Sequence, residues 1–284
     1  MNSRESFIEI IKQIPPFKPH SWLNSLEERK HDEISLHNQI RDVSGPKEVT
    51  AHAENKKFYS ITESSSSYIE GFLKKTVKDR IFLDFACGNG SAAIACAQQG
   101  ALFSVGLDIS DVSVKNAKQA ARAFPEEISK RLFFYQGDCE DTNLPSSSID
   151  IVLCSGMLHH LNLDKAYAEL SRIIVPGGLI VGMEALGHNP FFQAYRDFTP
   201  HLRTRWEASH IMKIVDIKKA VTFGFDVLEM KFWHFFELLA VPFRGRREFK
   251  WVQAAGFSID QLFFRLPFCK NLAWQVSFVL RKHG

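Results

Sequence analysis

The sequence lacks the features that define several large classes of protein. None of its five cysteines forms a CxxC pair, so a reduced, cytoplasmic protein is expected and a disulfide framework is not (Cys87, Cys96, Cys139, Cys154 and Cys269). No run of about 18 uncharged apolar residues occurs, which argues against a membrane-spanning helix. The N-terminal segment is polar and proline-containing, which is not the pattern of a signal peptide.

A strong net charge is also absent. Lys and Arg number 35 against 32 Asp and Glu, so the net charge gives no reason to expect a nucleic-acid partner. No basic patch with interleaved aromatic residues suggests RNA binding. No spacing of carboxylates and histidines suggests a metal, so no metal site is predicted.

The hydrophobic pattern changes near residue 80. Residues 1–78 are predicted to form helical segments, with a polar loop at 44–57, and we interpret them as an N-terminal helical cap. From residue 81, short apolar runs alternate with helical segments, which is typical of βαβ units and a parallel sheet. The predicted strands are 81–85, 102–107, 132–136, 149–154 and 178–184, and the helices between them are 90–99, 111–123 and 163–173.

After residue 185 this alternation is lost. Two helices are predicted within 189–222, the second over about 209–221. They are followed by a strand at 227–236, a helix at 249–255 and a last strand at 273–281. The two late strands would complete a seven-stranded sheet. Most of the 25 phenylalanines also lie in this part, either as the core of a helical insertion or as a lid over an apolar acceptor.

A glycine-rich turn follows the first predicted strand, over residues 84–90. Glycine allows a positive φ and a close approach of the backbone to a ligand, and free N–H groups at the following helix suit a polar or anionic group. Asp108 ends the next apolar run, where a carboxylate can accept hydrogen bonds from ribose hydroxyls. The turn alone also fits a dinucleotide site loosely. Asp84, however, would complement a cofactor that carries an ammonium group.

Five stretches, in order along the chain, resemble the class I S-adenosylmethionine-dependent methyltransferases of the small-molecule type. They are residues 84–90, Asp108, residues 137–139, residues 149–161 and residues 170–179, the last containing Pro176-Gly177-Gly178. The resemblance implies an α/β, Rossmann-like fold with a seven-stranded, mostly parallel sheet. It also implies two parts, an N-terminal helical cap (1–78) and a methyltransferase domain (79–284) with a helical insertion at about 186–222.

The same resemblance implies S-adenosyl-L-methionine as the cofactor and S-adenosyl-L-homocysteine as the product. The methionine portion of the cofactor would lie against Asp84 and the loop that contains Ala86, Gly88 and Gly90. Ala86 stands in place of the family's first glycine. Ribose would bind Asp108, beside Ile109. Adenine would bind Asp138 and Cys139. Tyr59, in the N-terminal cap, would reach the methionine moiety or serve only for packing.

Two adjacent histidines, His159 and His160, follow the fourth predicted strand, in a segment that lies beside the methyl group in the family. Histidine has a suitable pKa for a general base, which is needed only if the nucleophile must lose a proton. We expect at least one of them to be functional, with a slight preference for His160, although either could merely pack or cap the next helix. Glu184 ends the fifth strand and could face the same pocket.

The acceptor is predicted only as a class. The segment after the fourth strand lacks the Asn/Asp-Pro-Pro-aromatic pattern of enzymes that methylate planar amino groups. A small-molecule O-methyltransferase of natural-product or saccharide metabolism is therefore the first expectation, as a monomer or homodimer. A C- or N-methyltransferase with an apolar acceptor, a non-catalytic cofactor-binding protein and, remotely, a nicotinamide-dependent oxidoreductase remain as alternatives.

Overall fold

The computed structural model describes residues 3–42, 58–199, 204, 206 and 210–284. Within them the helices are α1 (Ser3–Lys12), α2 (His20–Asn24), α3 (Glu28–Arg41), α4 (Glu63–Thr76), α5 (Ser91–Gln98), α6 (Asp111–Ala121), α7 (Glu126–Ser129), α8 (Leu163–Ile173), α9 (Pro190–Phe198), α10 (Ile214–Lys218) and α11 (Phe249–Phe263). The strands are β1 (Ile81–Phe85), β2 (Phe103–Asp108), β3 (Leu132–Gln136), β4 (Ile149–Ser155), β5 (Ile174–Ala185), β6 (Phe225–Trp233) and β7 (Gln275–Lys282). The 3₁₀ segments are Leu158–His160, Lys219–Phe223, Phe236–Phe243 and Pro267–Leu272.

The strands form one seven-stranded sheet in the order β3-β2-β1-β4-β5-β7-β6. Strands β1 to β5 pair in parallel, and only β7 runs antiparallel to its neighbours β5 and β6. The predicted α/β fold with a mostly parallel seven-stranded sheet is therefore confirmed. The division into a cap and a methyltransferase domain with an insertion stays a prediction, although four helices precede β1 within the described ranges 3–42 and 58–80.

The sheet is buried on both faces. Along β1, Ile81, Leu83 and Phe85 pack into the core on one face, while Phe82 packs into the core on the other face with Leu73 of α4. Side chains alternate between the faces of a strand, so a strand covered on both sides must be apolar at almost every position. This requirement explains why the first strands are visible in the sequence as nearly continuous apolar runs.

Several predicted elements differ in extent. Strand β5 begins at Ile174, because residues 175–178 bulge out of its pairing with β4 between Ile174 and Leu179. The Pro-Gly-Gly turn is thus an irregularity within the strand, with Gly177 at φ 76°. Helix α11 is longer than predicted, and strand β6 is shifted towards the N-terminus. The predicted loop at 44–57 lies outside the described residues, as does Ser209, where the second insertion helix was expected to begin.

Among the described residues, no helix is long and apolar enough to cross a membrane.

Candidate active site

The loop between β1 and α5 is the centre of the candidate site. Ala86, Gly88 and Gly90 all have positive φ, at 65°, 54° and 79°. A Cβ atom at Gly90 would lie 2.7 Å from the ring of Phe134, so both conformation and space require glycine there. Ala86 adopts this backbone without being glycine, at a conformational cost of about 1 kcal/mol.

Asp84 lies beneath this loop, at 5% exposure. Its carboxylate accepts a hydrogen bond from the backbone N–H of Ala93, at 3.2 Å. Burial raises the pKa of Asp84 from 3.8 to about 7, with the negative charge of Asp108 as a further cause, against the lowering effect of the Ala93 N–H and Arg41. Asp84 is therefore a buried acid with little to compensate its charge, and a nearby cation would favour its ionised form.

Two further acids lie at the carboxyl ends of neighbouring strands. Asp108, at the end of β2, accepts hydrogen bonds from the N–H groups of Gly88 (2.8 Å) and Ser110 (2.9 Å). Asp108 therefore fixes both the glycine loop and its own turn. Asp138, after β3, accepts a hydrogen bond from the N–H of Glu140 at 2.9 Å. This edge of the sheet, beside the point where the strand order reverses, is where open α/β sheets bind ligands.

A cavity of about 670 Å³ opens at this edge, between the strand ends and helix α3. Six of the predicted site residues line it: Ala86, Asp108, Ile109, Asp138, Cys139 and His160. Its lining does not include Asp84, Gly88, Gly90, His159 or Tyr59. Tyr59 is instead 57% exposed, and its ring packs against Trp274 at 5.8 Å. The sequence therefore predicted one wall of this cavity well.

The opposite wall comes from α3, which was not predicted to carry site residues. Lys30 contacts Asp138 (2.5 Å) and Glu140 (2.8 Å), and Arg41 contacts Asp108 (3.3 Å). Burial alone would lower the pKa of Lys30, but its hydrogen bonds to these two acids outweigh it and raise the pKa. Cationic side chains thus meet the carboxylates predicted to hold ribose and adenine. A bound nucleoside would have to share or replace these contacts.

Each of the adjacent histidines lies beside a buried carboxylate. His159 Nδ1 is 2.8 Å from Glu184, which is only 1% exposed and also accepts hydrogen bonds from the N–H groups of Met157 and Leu158. His160 Nδ1 is 3.1 Å from Glu33 of α3. The two imidazole rings lie 4.1 Å apart. Glu184 therefore faces the His159 side of the site, and Glu33 is a member that the sequence did not reveal.

The aromatic residues after position 190 divide into two groups. Phe192 and Trp274 stack at 5.4 Å and are buried with Phe58 in a small separate core. Phe191 and Phe198 are instead 70% and 84% exposed. The first group fits the prediction of a core for the insertion. The exposed rings of Phe191 and Phe198 form an apolar surface on α9, as the prediction of a lid requires.

Comparison with known proteins agrees with this geometry. Residues 83–182 match the family described as a methyltransferase domain. The 27-O-demethylrifamycin SV methyltransferase of Amycolatopsis mediterranei is 29% identical over 127 residues, covering 44% of this chain and 45% of that protein. The protein arginine N-methyltransferase 1 of Schizosaccharomyces pombe is 31% identical over 107 residues, covering 36% and 31% respectively. This chain thus spans less than half the length of these curated relatives.

Among solved structures, the geranyl diphosphate C-methyltransferase of Streptomyces coelicolor, in complex with Mg²⁺, geranyl diphosphate and S-adenosyl-L-homocysteine, aligns with a TM-score of 0.62 and 13% identity. The alignment covers 90% of this chain and 99% of that one, which shows a shared fold.

Over residues 83–182 the chain matches a methyltransferase domain, which confirms the class I S-adenosylmethionine-dependent methyltransferase prediction for this part of the chain, and S-adenosylmethionine is the cofactor of that class. The residues around the cavity fit this cofactor. The cavity offers carboxylate acceptors for hydroxyl and amino groups. Burial raises the pKa of Cys139 well above its ordinary value, so its thiol is uncharged and suits contact with an adenine ring. The assignment of individual residues to parts of the cofactor remains a proposal.

Proposed function

We propose that this protein transfers the methyl group of S-adenosylmethionine to a small molecule, most readily at an oxygen atom. The proposal depends mainly on one arrangement. Asp108 and Asp138 line the same cavity as His160. His159 lies beside His160 and contacts the carboxylate of Glu184. Acids suited to bind the cofactor and histidines suited to accept a proton therefore lie at one edge of the sheet, which supports the proposal.

In this proposal the chain's own residues hold the cofactor. Asp108 accepts hydrogen bonds from the ribose hydroxyls, with Ile109 beside it, and Asp138 accepts one from the adenine amino group near Cys139. Asp84 and the loop with Ala86, Gly88 and Gly90 accommodate the methionine portion. Tyr59 would contact the methionine portion only after a movement of the cap, because its ring packs on Trp274 in this structure.

Methyl transfer displaces a neutral sulfide from a sulfonium carbon, so the protein mainly has to position the acceptor and exclude water. An alcohol acceptor must also lose its proton, and a histidine oriented by a carboxylate is suited to take it. The buried Glu184 favours the tautomer of His159 that carries the proton on Nδ1, which leaves Nε2 as the basic atom. This support favours His159 over His160, the reverse of the preference from sequence.

The oxygen acceptor is supported by these histidine–carboxylate pairs and by the likeness to a rifamycin O-methyltransferase. A carbon or nitrogen acceptor of apolar or aromatic type remains the second candidate. It is favoured by the exposed aromatic face of α9 and by the geranyl diphosphate C-methyltransferase among the structural neighbours. A monomer or homodimer and a cytoplasmic location complete the proposal.

Two measurements test it. Calorimetry with S-adenosylhomocysteine should show binding that Asp108→Ala weakens by about 100-fold or more, because about two charge-assisted hydrogen bonds are lost. Unchanged affinity would remove Asp108 from the ribose site. Turnover is then measured with S-adenosylmethionine bearing a deuterated methyl group and a panel of alcohols, phenols, amines and isoprenoids. Product spectra identify the methylated atom, and tight cofactor binding without turnover on any class would favour the non-catalytic alternative.

A further inference from the structure

Three potential metal ligands meet at the mouth of the cavity. Glu33 and His37 lie four residues apart on α3, which places them on one face of the helix. His160 approaches from the opposite wall, from the turn after β4. All three residues line the cavity. No sequence pattern indicated a group of Glu33, His37 and His160, because His160 is far from Glu33 and His37 along the chain.

The spacing of the ligand atoms suits one small cation. Glu33 Oε2 lies 3.1 Å from His160 Nδ1 and 3.5 Å from His37 Nε2, and one ligand atom from each residue lies within 4.8 Å of the others. Zinc bound at about 2.0–2.2 Å in a tetrahedral site separates its ligands by roughly 3.3–3.6 Å. The two measured separations lie within a few tenths of an ångström of this spacing, so a metal ion fits between these atoms after side-chain shifts.

The hydrogen bonding of Glu33 leaves one oxygen directed at the histidines. The residue is only 6% exposed, and its Oε1 accepts a hydrogen bond from the Thr204 hydroxyl at 2.6 Å. Among the residues that the structure describes, neither Glu33 Oε2 nor His160 Nδ1 has a partner in hydrogen-bonding geometry, although both atoms are buried and lie 3.1 Å apart. Buried polar atoms are nearly always satisfied, so this unsatisfied pair indicates a missing ligand.

We propose that Glu33, His37 and His160 form a binding site for one divalent first-row transition-metal ion, with Zn²⁺ the best match. Two imidazoles and one carboxylate are the donors of many catalytic zinc sites and of several other metals of the series. Three protein ligands leave a coordination position open, which is the mark of a catalytic rather than a structural site. Thr204 holds the carboxylate, as outer-shell partners of metal ligands do.

Charge and position support the same site. The carboxylate of Glu33 contacts both imidazoles and the hydroxyl of Thr204, so an acidic ligand lies between two neutral nitrogen donors. The open coordination position would face the cavity, where an oxygen of the acceptor can occupy it. That last step rests on the proposed function, whereas metal binding itself does not. With His160 as a ligand, proton transfer falls to His159.

The test uses the full chain, freed of any histidine tag and treated with a chelator. Titration calorimetry with Zn²⁺, in the absence of cofactor and acceptor, should give one site per chain. Glu33→Gln and His37→Ala should each weaken it at least about 100-fold, and Thr204→Val about 10-fold or more, since loss of an outer-shell partner typically costs 10–100-fold. His31→Ala is the matched control, because His31 is an exposed histidine on the same helix. Its affinity should equal that of the wild type.

Loading the wild-type chain with Co²⁺ gives a second readout that needs no variant. Visible absorption bands of a four- or five-coordinate Co²⁺ complex should appear at one equivalent and disappear on addition of Zn²⁺. Circular dichroism checks that the variants are folded. Absence of these bands, or equal Zn²⁺ affinity in His37→Ala and His31→Ala, would overturn the metal site. Neither result bears on methyl transfer, so the two proposals fail separately.

Discussion

Two of the histidine–carboxylate groups in the described part of the chain differ mainly in access. In the first, His159 pairs with Glu184 at the edge of the cavity region, at 2.8 Å, and the imidazole is partly exposed. In the second, His234 lies between Glu237 (2.5 Å from Nδ1) and Ser65 (2.9 Å from Nε2). As a list of residues, the second group has the more complete serine–histidine–acid arrangement of a hydrolase.

Burial separates the two groups. His234 and Ser65 have no exposed surface, and Glu237 has 1%. The Ser65 hydroxyl also lies 3.1 Å from the carbonyl oxygen of Thr62 and 2.9 Å from Oε1 of Gln275, so it is held within the core. A nucleophile without access to substrate has no catalytic use. The second group joins β6, α4 and β7, and the comparison teaches that access, and not side-chain identity, separates a structural group from a candidate active one.

The largest effect is expected for the sealed group. His234→Ala would remove the histidine from the buried Glu237, which would keep the hydroxyl of Ser64 as a donor, and breaking a buried pair of this kind costs about 3–5 kcal/mol of the free energy of unfolding. Urea unfolding followed by circular dichroism measures this loss. Affinity for S-adenosylhomocysteine should be unchanged under conditions where the variant is folded. His283→Ala is the control, because its contact with Asp226 is about half exposed and should contribute almost nothing.

The converse pattern is expected at the cavity. His159→Ala should lower the urea midpoint less than His234→Ala does, because Glu184 keeps the N–H groups of Met157 and Leu158 as donors. It should leave cofactor affinity close to that of the wild type and lower turnover on an alcohol acceptor by about 100- to 10,000-fold, the range of general-base catalysis. Single-turnover kinetics with bound cofactor measures the step directly. Should His159→Ala act on stability as strongly as His234→Ala, the distinction between the two groups would be lost.

His160→Ala sharpens the assignment within the cavity. With His159 as the base, His160→Ala should reduce turnover less than His159→Ala does, with the main effect on the Michaelis constant of the acceptor. A larger loss of turnover in His160→Ala than in His159→Ala would reverse the assignment and restore the preference drawn from the sequence.

The sequence predicted strands β1 to β4 to within one residue at each end, because strands buried on both faces must be continuous apolar runs. It also placed Asp108 and Asp138 at the strand ends that line the cavity, because their positions depend only on local strand ends and turns. Lys30 and Glu33 escaped prediction for the opposite reason. Lys30 meets Asp138 across 108 residues of chain, and no periodicity within α3 distinguishes its cavity-facing cations from solvated ones. Contacts between distant segments carry no local signal.

Asp84 combines features of both regions, since it is buried like His234 and lies under the cofactor loop. Because burial raises its pKa to about 7, folded Asp84 keeps its proton up to that pH, whereas the unfolded chain releases it near 3.8. Its contribution to stability is therefore complete below about pH 4 and is lost as the pH rises through 7. Asp84→Asn should accordingly be more stable than the wild type at pH 8.

Cofactor binding should couple to the same proton. An ammonium group near Asp84 favours the carboxylate, so binding below pH 7 releases a proton, and affinity for S-adenosylhomocysteine should rise by at most about 10-fold per pH unit up to neutrality. Calorimetry at pH 6 in buffers of different ionisation enthalpy measures the released proton. Asp84→Asn should release none and should bind with little pH dependence over this range. Equal proton release by both proteins would place the cofactor's ammonium elsewhere and leave Asp84, like His234, a structural group.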